Sequence, residues 1–368
     1  MDHCRIPRLE ADSELDTLFP EAEFHRMRRA LHQCPQYRPS PLLSLTDNGA
    51  GQVYLKDERA RLGLGSFKAL GGAWAVIAAL CDVAERAGIP QMAEDRLPSA
   101  EELLRLPEIV CASAGNHGQA VAAGARLLGL RCRVILPATT EAVRVQAIEA
   151  RGAWVERVAG DYDAAVTRAA ELAEQPEVIG IPDTDVRGHT ATVARVMSGY
   201  GVILEEALSQ FRAHEQATPT HLFVQAGVGG LAGGLALRAA RELGQRRPRV
   251  VVVEPEGAAG LMNSFRHRVA SRTPGTLDSR LVGLDCAQAS PLAFRVLSCF
   301  ADDCLTISDR EADQAAIHLQ HRAGLHTSPT GAAGYAGLQR ALEDPTLARR
   351  LGLDNEAVIL CVLTEANV

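Results

Sequence analysis

The segment "GLGSFKALGGAWAV", Gly63 to Val76, holds one of only two lysines in a chain of 368 residues with 38 basic side chains. Lys56 is the other, and every remaining basic residue is an arginine. A surface ion pair accepts either type. Only lysine sheds its proton when desolvated, and a neutral amine is a nucleophile that condenses with a carbonyl to a Schiff base. Lys68 is therefore a candidate nucleophile, although an ordinary place at the start of a helix explains it equally well. Its lead, Gly63 to Ser66, is glycine-rich, and "KALGGAWAVIAAL" reads as a helix. An amine at a helix N-terminus has its charged form disfavoured by the dipole.

Two further segments carry chemistry. In "LFVQAGVGGLAGG" a strand ends near Gln225, and Gly227, Gly229 and Gly230 then open a helix. Glycines let backbone amides crowd an anion, and the helix N-terminus adds a favourable dipole, so the turn is a candidate phosphate cradle. It lacks GxxxxGK[ST] and a spaced GxGxxG. The acid of "VVVEPEG" follows about one unit later and keeps a dinucleotide open, and tight packing alone also explains the glycines. In "CASAGNHGQAVA", Ser113, Gly115, Asn116 and His117 gather a hydroxyl, amides and a side-chain amide at a strand end, which suits a carboxylate. The bland alternative makes Asn116 a helix cap and His117 a filler of the first turn. A Schiff-base lysine needs a carbonyl, the cradle gives that compound a phosphate, and the carboxylate pocket makes the substrate an acid. Pyridoxal 5′-phosphate acting on an amino acid satisfies all three.

The elements that must position these residues are βα units. Short apolar runs such as "EIVCASA", "RCRVILP", "THLFVQAG", "RVVVVEPEG" and "EAVILCVLTEAN" alternate with Ala-rich helical stretches. That repetition predicts an α/β fold with mostly parallel sheets covered on both faces. The site is expected at the C-terminal strand ends. Hydrophobic residues make up 47% and the net charge is −7 with arginines and acids interspersed, so nothing points to nucleic acid or a membrane surface. No run approaches a membrane span, and the N-terminus has no apolar signal core. Nine cysteines show no CxxC, and Cys81, Cys111, Cys132 and Cys361 read as buried free thiols in a reducing, cytoplasmic compartment. His321 and His326 lack partners at ligand spacing, so no metal is expected. "PQMAEDRLPSAEELLRLPE" (Pro90 to Glu108) reads as a surface excursion.

"GSFKALGG", "SAGNHGQAVA" and the glycine turn resemble the fold type II pyridoxal-phosphate enzymes, the group of tryptophan synthase β, the serine/threonine dehydratases and cysteine synthase. Within it the chain is most similar to diaminopropionate ammonia-lyase, through "PSPLLSL", "VYLKDERARLGLGSFKALGG", "IPDTDVRGHTATVARVMSGYG", "VVVEPEGAAGL" and "LVGLDCAQASPLAFRVL" in order. The resemblance runs from about residue 20 onwards. It implies two open, mostly parallel sheets with helices on both faces. A large cofactor domain (1–75 and 200–368) would be interrupted by a small inserted α/β domain (76–199). A homodimer is the expected assembly.

The resemblance also implies roles. Lys68 would carry the cofactor and take the substrate's α-proton. Phe67 would pack against the cofactor, and Asn116 would bond its ring hydroxyl. Gly227, Val228, Gly229, Gly230 and Leu231 would bind phosphate through their amides. Thr364 of "VLTEAN" would offer its hydroxyl to the pyridine nitrogen. Asp183 would stand near a β-amino group; otherwise it caps the helix of "VRGHTATVARVM". The implied reaction is α,β-elimination from a short L-amino acid, with 2,3-diaminopropionate giving pyruvate and ammonia. One departure matters. Ammonia-lyases of this type carry an acid before Gly-Asn-His, as base for the D-substrate; here stands Ala114. That favours, as an alternative, dehydration of an L-serine- or L-threonine-type substrate. β-Replacement is a third reading. A binding protein without turnover is a fourth, which Lys68 and Thr364 oppose.

Overall fold

A computed structural model describes residues 2–11, 13–45, 51–86, 107–113, 115–185, 189–273 and 277–367. Ala114 lies outside the described residues, as does most of the excursion expected from Pro90 to Glu108. The strands are β1 (His3–Arg5), β2 (Leu42–Leu45), β3 (Gln52–Asp57), β4 (Glu108–Cys111), β5 (Cys132–Pro137), β6 (Trp154–Val158), β7 (Val178–Gly180), β8 (His221–Gln225), β9 (Arg249–Pro255), β10 (Asp303–Ile307) and β11 (Val358–Leu363). The helices are α1 (Ser13–Leu18), α2 (Glu21–Gln33), α3 (Lys68–Arg86), α4 (Asn116–Leu127), α5 (Ala142–Glu149), α6 (Tyr162–Ala173), α7 (Thr190–Ala213), α8 (Gly230–Leu243), α9 (Gly260–His267), α10 (Pro291–Phe300), α11 (Asp309–Ala323), α12 (Pro329–Glu343) and α13 (Pro345–Leu351).

The chain divides into two compact units, Met1–Phe67 with Tyr200–Val368, and Lys68–Gly199. The junction expected at 75/76 therefore lies inside α3. That helix packs on α4 so closely that a Cβ at Gly72 would stand 2.9 Å from the Ala120 Cβ.

The larger unit holds a seven-stranded sheet in the order β1-β10-β9-β8-β11-β3-β2. Its five inner strands run parallel and its two edge pairings, β1 with β10 and β2 with β3, are antiparallel. Every residue of β8, β10 and β11 is buried, so both faces of the centre are covered. Val53, Phe223, Val251, Val253, Leu305, Ile359 and Leu363 pack with Ala332, Ala333 and Ala336 of α12 into one core. The small alanines let α12 lie close to the sheet. The smaller unit has a four-stranded parallel sheet, β6-β5-β4-β7. Val110 and Ile135 pack there on Ala165, Ala169 and Leu172 of α6. Of the cysteines expected inside, Cys111, Cys132 and Cys361 are buried, but Cys81 is only half-buried because its turn of α3 reaches the surface. No helix among the described residues is long and apolar enough to cross a membrane.

Candidate active site

In the smaller unit Lys68 is the first residue of α3, and its Nζ donates to Asp183 Oδ2 at 3.0 Å. The side chains are 20% and 18% exposed, enough for a small molecule to reach the pair. Asp183 follows β7 in the turn Ile181-Pro182-Asp183. That turn is pinned from two sides: the Ile181 N–H donates to the Val110 carbonyl at 2.9 Å, and the Ile181 carbonyl accepts from His117 Nε2 at 2.8 Å. Burial works against the Asp183 anion, but the Lys68 ammonium outweighs it and holds the carboxyl down at about 2. Burial also keeps the His117 imidazole below its ordinary range, so it is neutral near pH 7. Asp183 does not cap the helix that follows, since α7 starts only at Thr190. Asp183, Thr184, His189, Ile181, Tyr162 and Cys111 also line an open cleft.

His117 sits in the first turn of α4, with its ring turned inward. It is 2% exposed, and its Nδ1 has no partner among the described residues. What His117 can offer a carboxylate is thus its backbone N–H. The cap of α4 is Gly115 rather than Asn116, and no side chain closes it. The Ser113 hydroxyl accepts from the Gly115 N–H at 3.3 Å. A Cβ at Gly118 would lie 2.1 Å from the Ser113 carbonyl, so the strand end and the helix start touch through bare backbone. Amides at the start of a twelve-residue helix, with a hydroxyl beside them, suit an anion.

In the larger unit β8 runs into the turn Ala226–Gly229, and α8 starts at Gly230. Gly229 caps α8 at φ 99°, in the left-handed region, with no side-chain cap bond. A Cβ there would stand 3.0 Å from the Ala293 Cβ, and one at Gly227 would stand 2.9 Å from Cys286 Sγ. The Val228 carbonyl accepts from Ser290 N–H at 2.9 Å, which anchors the turn to the start of α10. Leu231 is buried in the first turn of α8. The backbone amides of 227–231 are therefore held in place, with Val228 and the buried Leu231 as the only side chains among them.

Thr364 follows β11 and is buried. Its hydroxyl accepts from Gln225 Nε2 at 3.1 Å, so its own proton remains to be donated. Gln225 was not singled out from the sequence. Its signal was a lone amide at the end of an apolar strand. Phe67 N–H donates to the Thr364 carbonyl at 3.0 Å, and Ser66 bridges Glu365 in antiparallel fashion. The strap leading into Lys68 is thereby clipped to the end of β11. The Phe67 ring meets Tyr200 edge-on at 4.8 Å between centroids.

These residues fit pyridoxal phosphate on their own chemistry. A glycine-rich cradle at the start of a long helix suits a phosphate, a hydroxyl with a spare proton can donate to a pyridine nitrogen, and a lysine beside a carboxylate supplies the amine.

Residues 34–365 match the model of the pyridoxal-phosphate dependent enzyme family. The diaminopropionate ammonia-lyase of Salmonella typhimurium is 31% identical over 353 residues, covering 90% of this chain and 86% of that one. The solved diaminopropionate ammonia lyase of Escherichia coli in complex with D-serine is 28% identical, with a TM-score of 0.85, covering 100% of this chain and 94% of that one. The biosynthetic L-threonine dehydratase of Pasteurella multocida is 29% identical over 308 residues, covering 82% of this chain and 52% of that one.

Proposed function

The chain belongs to the pyridoxal-phosphate dependent enzyme family, and on that footing we propose that it removes ammonia from 2,3-diaminopropionate by α,β-elimination, yielding pyruvate. The observation that carries the substrate is the Lys68–Asp183 pair at 3.0 Å. Asp183 is an anion built to hold a cation, and the β-ammonium of 2,3-diaminopropionate is a cation of the same kind as the Lys68 ammonium. A serine hydroxyl in its place would leave Asp183 without a counter-charge.

Pyridoxal phosphate, when bound, supplies an electron sink for the pair left on the substrate's α-carbon. Lys68 is the residue to carry it and to take the α-proton on one face. Amides 227–231 would hold its phosphate, Thr364 its pyridine nitrogen and Asn116 its ring hydroxyl, with Phe67 against it. The start of α4, with Ser113, Gly115, Asn116 and His117, would hold the substrate carboxylate. Asp183 keeps the β-amine protonated, so it departs as neutral ammonia. The dehydroamino acid then hydrolyses to pyruvate and a second ammonia.

Where the family pattern has an acid as base for the D-isomer, the sequence of this chain has Ala114, which carries no proton-accepting group, so the reading takes the L-isomer as the substrate. The same alanine favours dehydration of L-serine or L-threonine as the second reading, alongside the 29% identity to an L-threonine dehydratase. A homodimer in the cytoplasm is the setting we adopt; nine cysteines, none of them in a disulfide, suit it.

The test is pyruvate release from both enantiomers of 2,3-diaminopropionate and of serine. The reading requires the L-diamine to be turned over faster than L-serine and the D-diamine to be inert. Faster turnover of L-serine would assign the dehydratase instead.

A further inference from the structure

One cluster in the larger unit lies outside everything assigned above. Cys4 in β1 and Cys304 in β10 are directly opposite each other in the antiparallel pair, between His3↔Leu305 and Arg5↔Asp303. The Ile6 N–H donates to the Asp302 carbonyl and the Thr306 N–H to the Asp2 carbonyl, both at 2.9 Å. The alternation of an antiparallel ladder therefore makes Cys4 and Cys304 a hydrogen-bonded pair, with Cα atoms about 5.5 Å apart. That spacing lies within the range a disulfide spans. Opposite residues also project to the same face, so the two sulfurs are neighbours.

The two thiols differ. Cys4 is half-buried, whereas Cys304 is fully buried. Cys304 Sγ lies 3.5 Å from Glu254 Oε2 and can donate to it. The Glu254 carboxylate also accepts from the Leu261 and Met262 N–H groups at 2.8 and 2.7 Å, so it is fixed in place. An accessible thiol, a buried thiol opposite it and a carboxylate behind the buried one form an attacking, resolving and proton-accepting set.

We propose that Cys4 and Cys304 are an oxidation site, which a small-molecule disulfide of the glutathione type converts into a cross-strand disulfide tying β1 to β10. The Cys4 thiolate attacks one sulfur of the reagent; a mixed disulfide forms and one thiolate leaves. Cys304 gives its proton to Glu254, and its thiolate attacks the Cys4 sulfur, expelling the second thiolate. Two protein thiols lose two electrons in all, and one reagent disulfide gains them. The other charges facing the pair allow this order. The Cys304 thiol and then Arg266 lower the Cys4 thiol against burial, Glu254 and Asp303, while burial pushes Cys304 well up. Burial likewise raises the Glu254 carboxyl to about 7, which makes it a competent proton acceptor at neutral pH.

The experiment treats the holoenzyme with oxidised glutathione, followed by non-reducing peptide mass mapping and thermal unfolding. The expected map links the Cys4 peptide to the Cys304 peptide. The thermal midpoint rises on oxidation and returns with dithiothreitol, because the bridge closes a loop of most of the chain. Cys4→Ser, on a half-buried edge strand, abolishes the link and the rise and leaves the reduced enzyme's elimination rate unchanged. Cys304→Ser retains one glutathione on Cys4. Should that buried substitution fail to fold, Cys4→Ser and the parent still decide the matter. Glutathione held stably on Cys4 of the parent, links confined to Cys34, Cys81 or Cys286, or no link at all would overturn the proposal.

Discussion

At the scale of single residues, the two lysines separate cleanly. Lys56 is wholly buried, its Nζ bound to the Ser40 carbonyl at 2.6 Å, to Gln210 at 2.9 Å and to Glu206 at 2.8 Å. Lys68 is partly open and has a carboxylate beside it. Borohydride treatment of the holoenzyme is therefore expected to fix the cofactor on Lys68 and never on Lys56, as read by peptide mapping. An adduct on Lys56 would displace the assigned site. Asp183 carries the second expectation. Asp183→Asn keeps the shape and removes the charge that answers a β-ammonium. Losing a charge-assisted contact of this kind costs about 1.5–3 kcal/mol, so activity on L-2,3-diaminopropionate should fall about ten- to a hundredfold. Activity on L-serine should fall much less. Equal losses on both substrates in kcat/KM assays would mean that Asp183 only positions Lys68. The types of Lys68 and Asp183 were legible in the sequence. Their pairing was not, because 115 residues separate them and only the fold joins the start of α3 to the end of β7.

At the scale of elements, the glycine turn was legible because its chemistry is local: strand, glycines and helix are contiguous. Its cost to the fold was not. Gly229 sits at φ 99° and a Cβ there would crowd Ala293, so Gly229→Ala should lose about 1–2 kcal/mol of stability in addition to cofactor affinity. Equilibrium unfolding of the apo protein and cofactor titration separate the two losses. An alanine variant as stable as the parent would show that the turn is not strained. Thr364 shows the opposite limit. Its hydroxyl matters only because Gln225, from another strand, occupies the acceptor side. β9 and α9 carry a titration of their own. Glu254 accepts the Leu261 and Met262 amides, and burial raises its carboxyl from an ordinary 4.5 to about 7. Between those values the folded state binds more protons than the unfolded one, so Glu254 makes stability fall as pH rises through that window. Glu254→Gln lacks this dependence. The parent's advantage in thermal midpoint over the variant should therefore shrink from about pH 5 to about pH 8. A constant difference across that range would mean that Glu254 ionises normally.

At the scale of the whole chain, the alternation of apolar runs with Ala-rich stretches announced mostly parallel sheets, and the structure has two, with antiparallel pairings only at the edges of the larger. What the alternation could not announce is the polar knot inside the larger unit. Lys56, Glu58, Arg61 and Glu206 are all buried, two cations with two anions. Arg61 spans both acids, reaching Glu58 at 2.7 Å and Glu206 at 2.8 Å. Tyr37 Oη and the Ser40 N–H complete Glu206 at 2.7 and 3.0 Å. Burial disfavours the Glu206 anion, but Arg61 and then Lys56 bring its carboxyl below the ordinary range. These partners come from β3, from the strap after it, from the segment before β2 and from α7. Three of these elements fall within residues 37–61, but Glu206 of α7 lies 145 positions beyond Arg61, and only the fold brings it in. The knot fixes where the strap of residues 58–67 leaves β3, while the bonds of Ser66 and Phe67 to 364–365 fix where it arrives. Glu206→Ala would strip the acceptor from Tyr37, Ser40, Lys56 and Arg61 together and leave two buried cations facing one carboxylate. Breaking a buried pair from one side costs about 3–5 kcal/mol, a large share of the 5–15 kcal/mol that ordinarily holds a fold. Glu206→Gln keeps an acceptor oxygen and should cost less, and Asp183→Asn, at a half-open pair, should cost less still. Denaturant unfolding of the three variants orders them. If Glu206→Ala proved no less stable than Asp183→Asn, the knot would be a passive filling of the core, and the strap would owe its place to the β11 contacts alone.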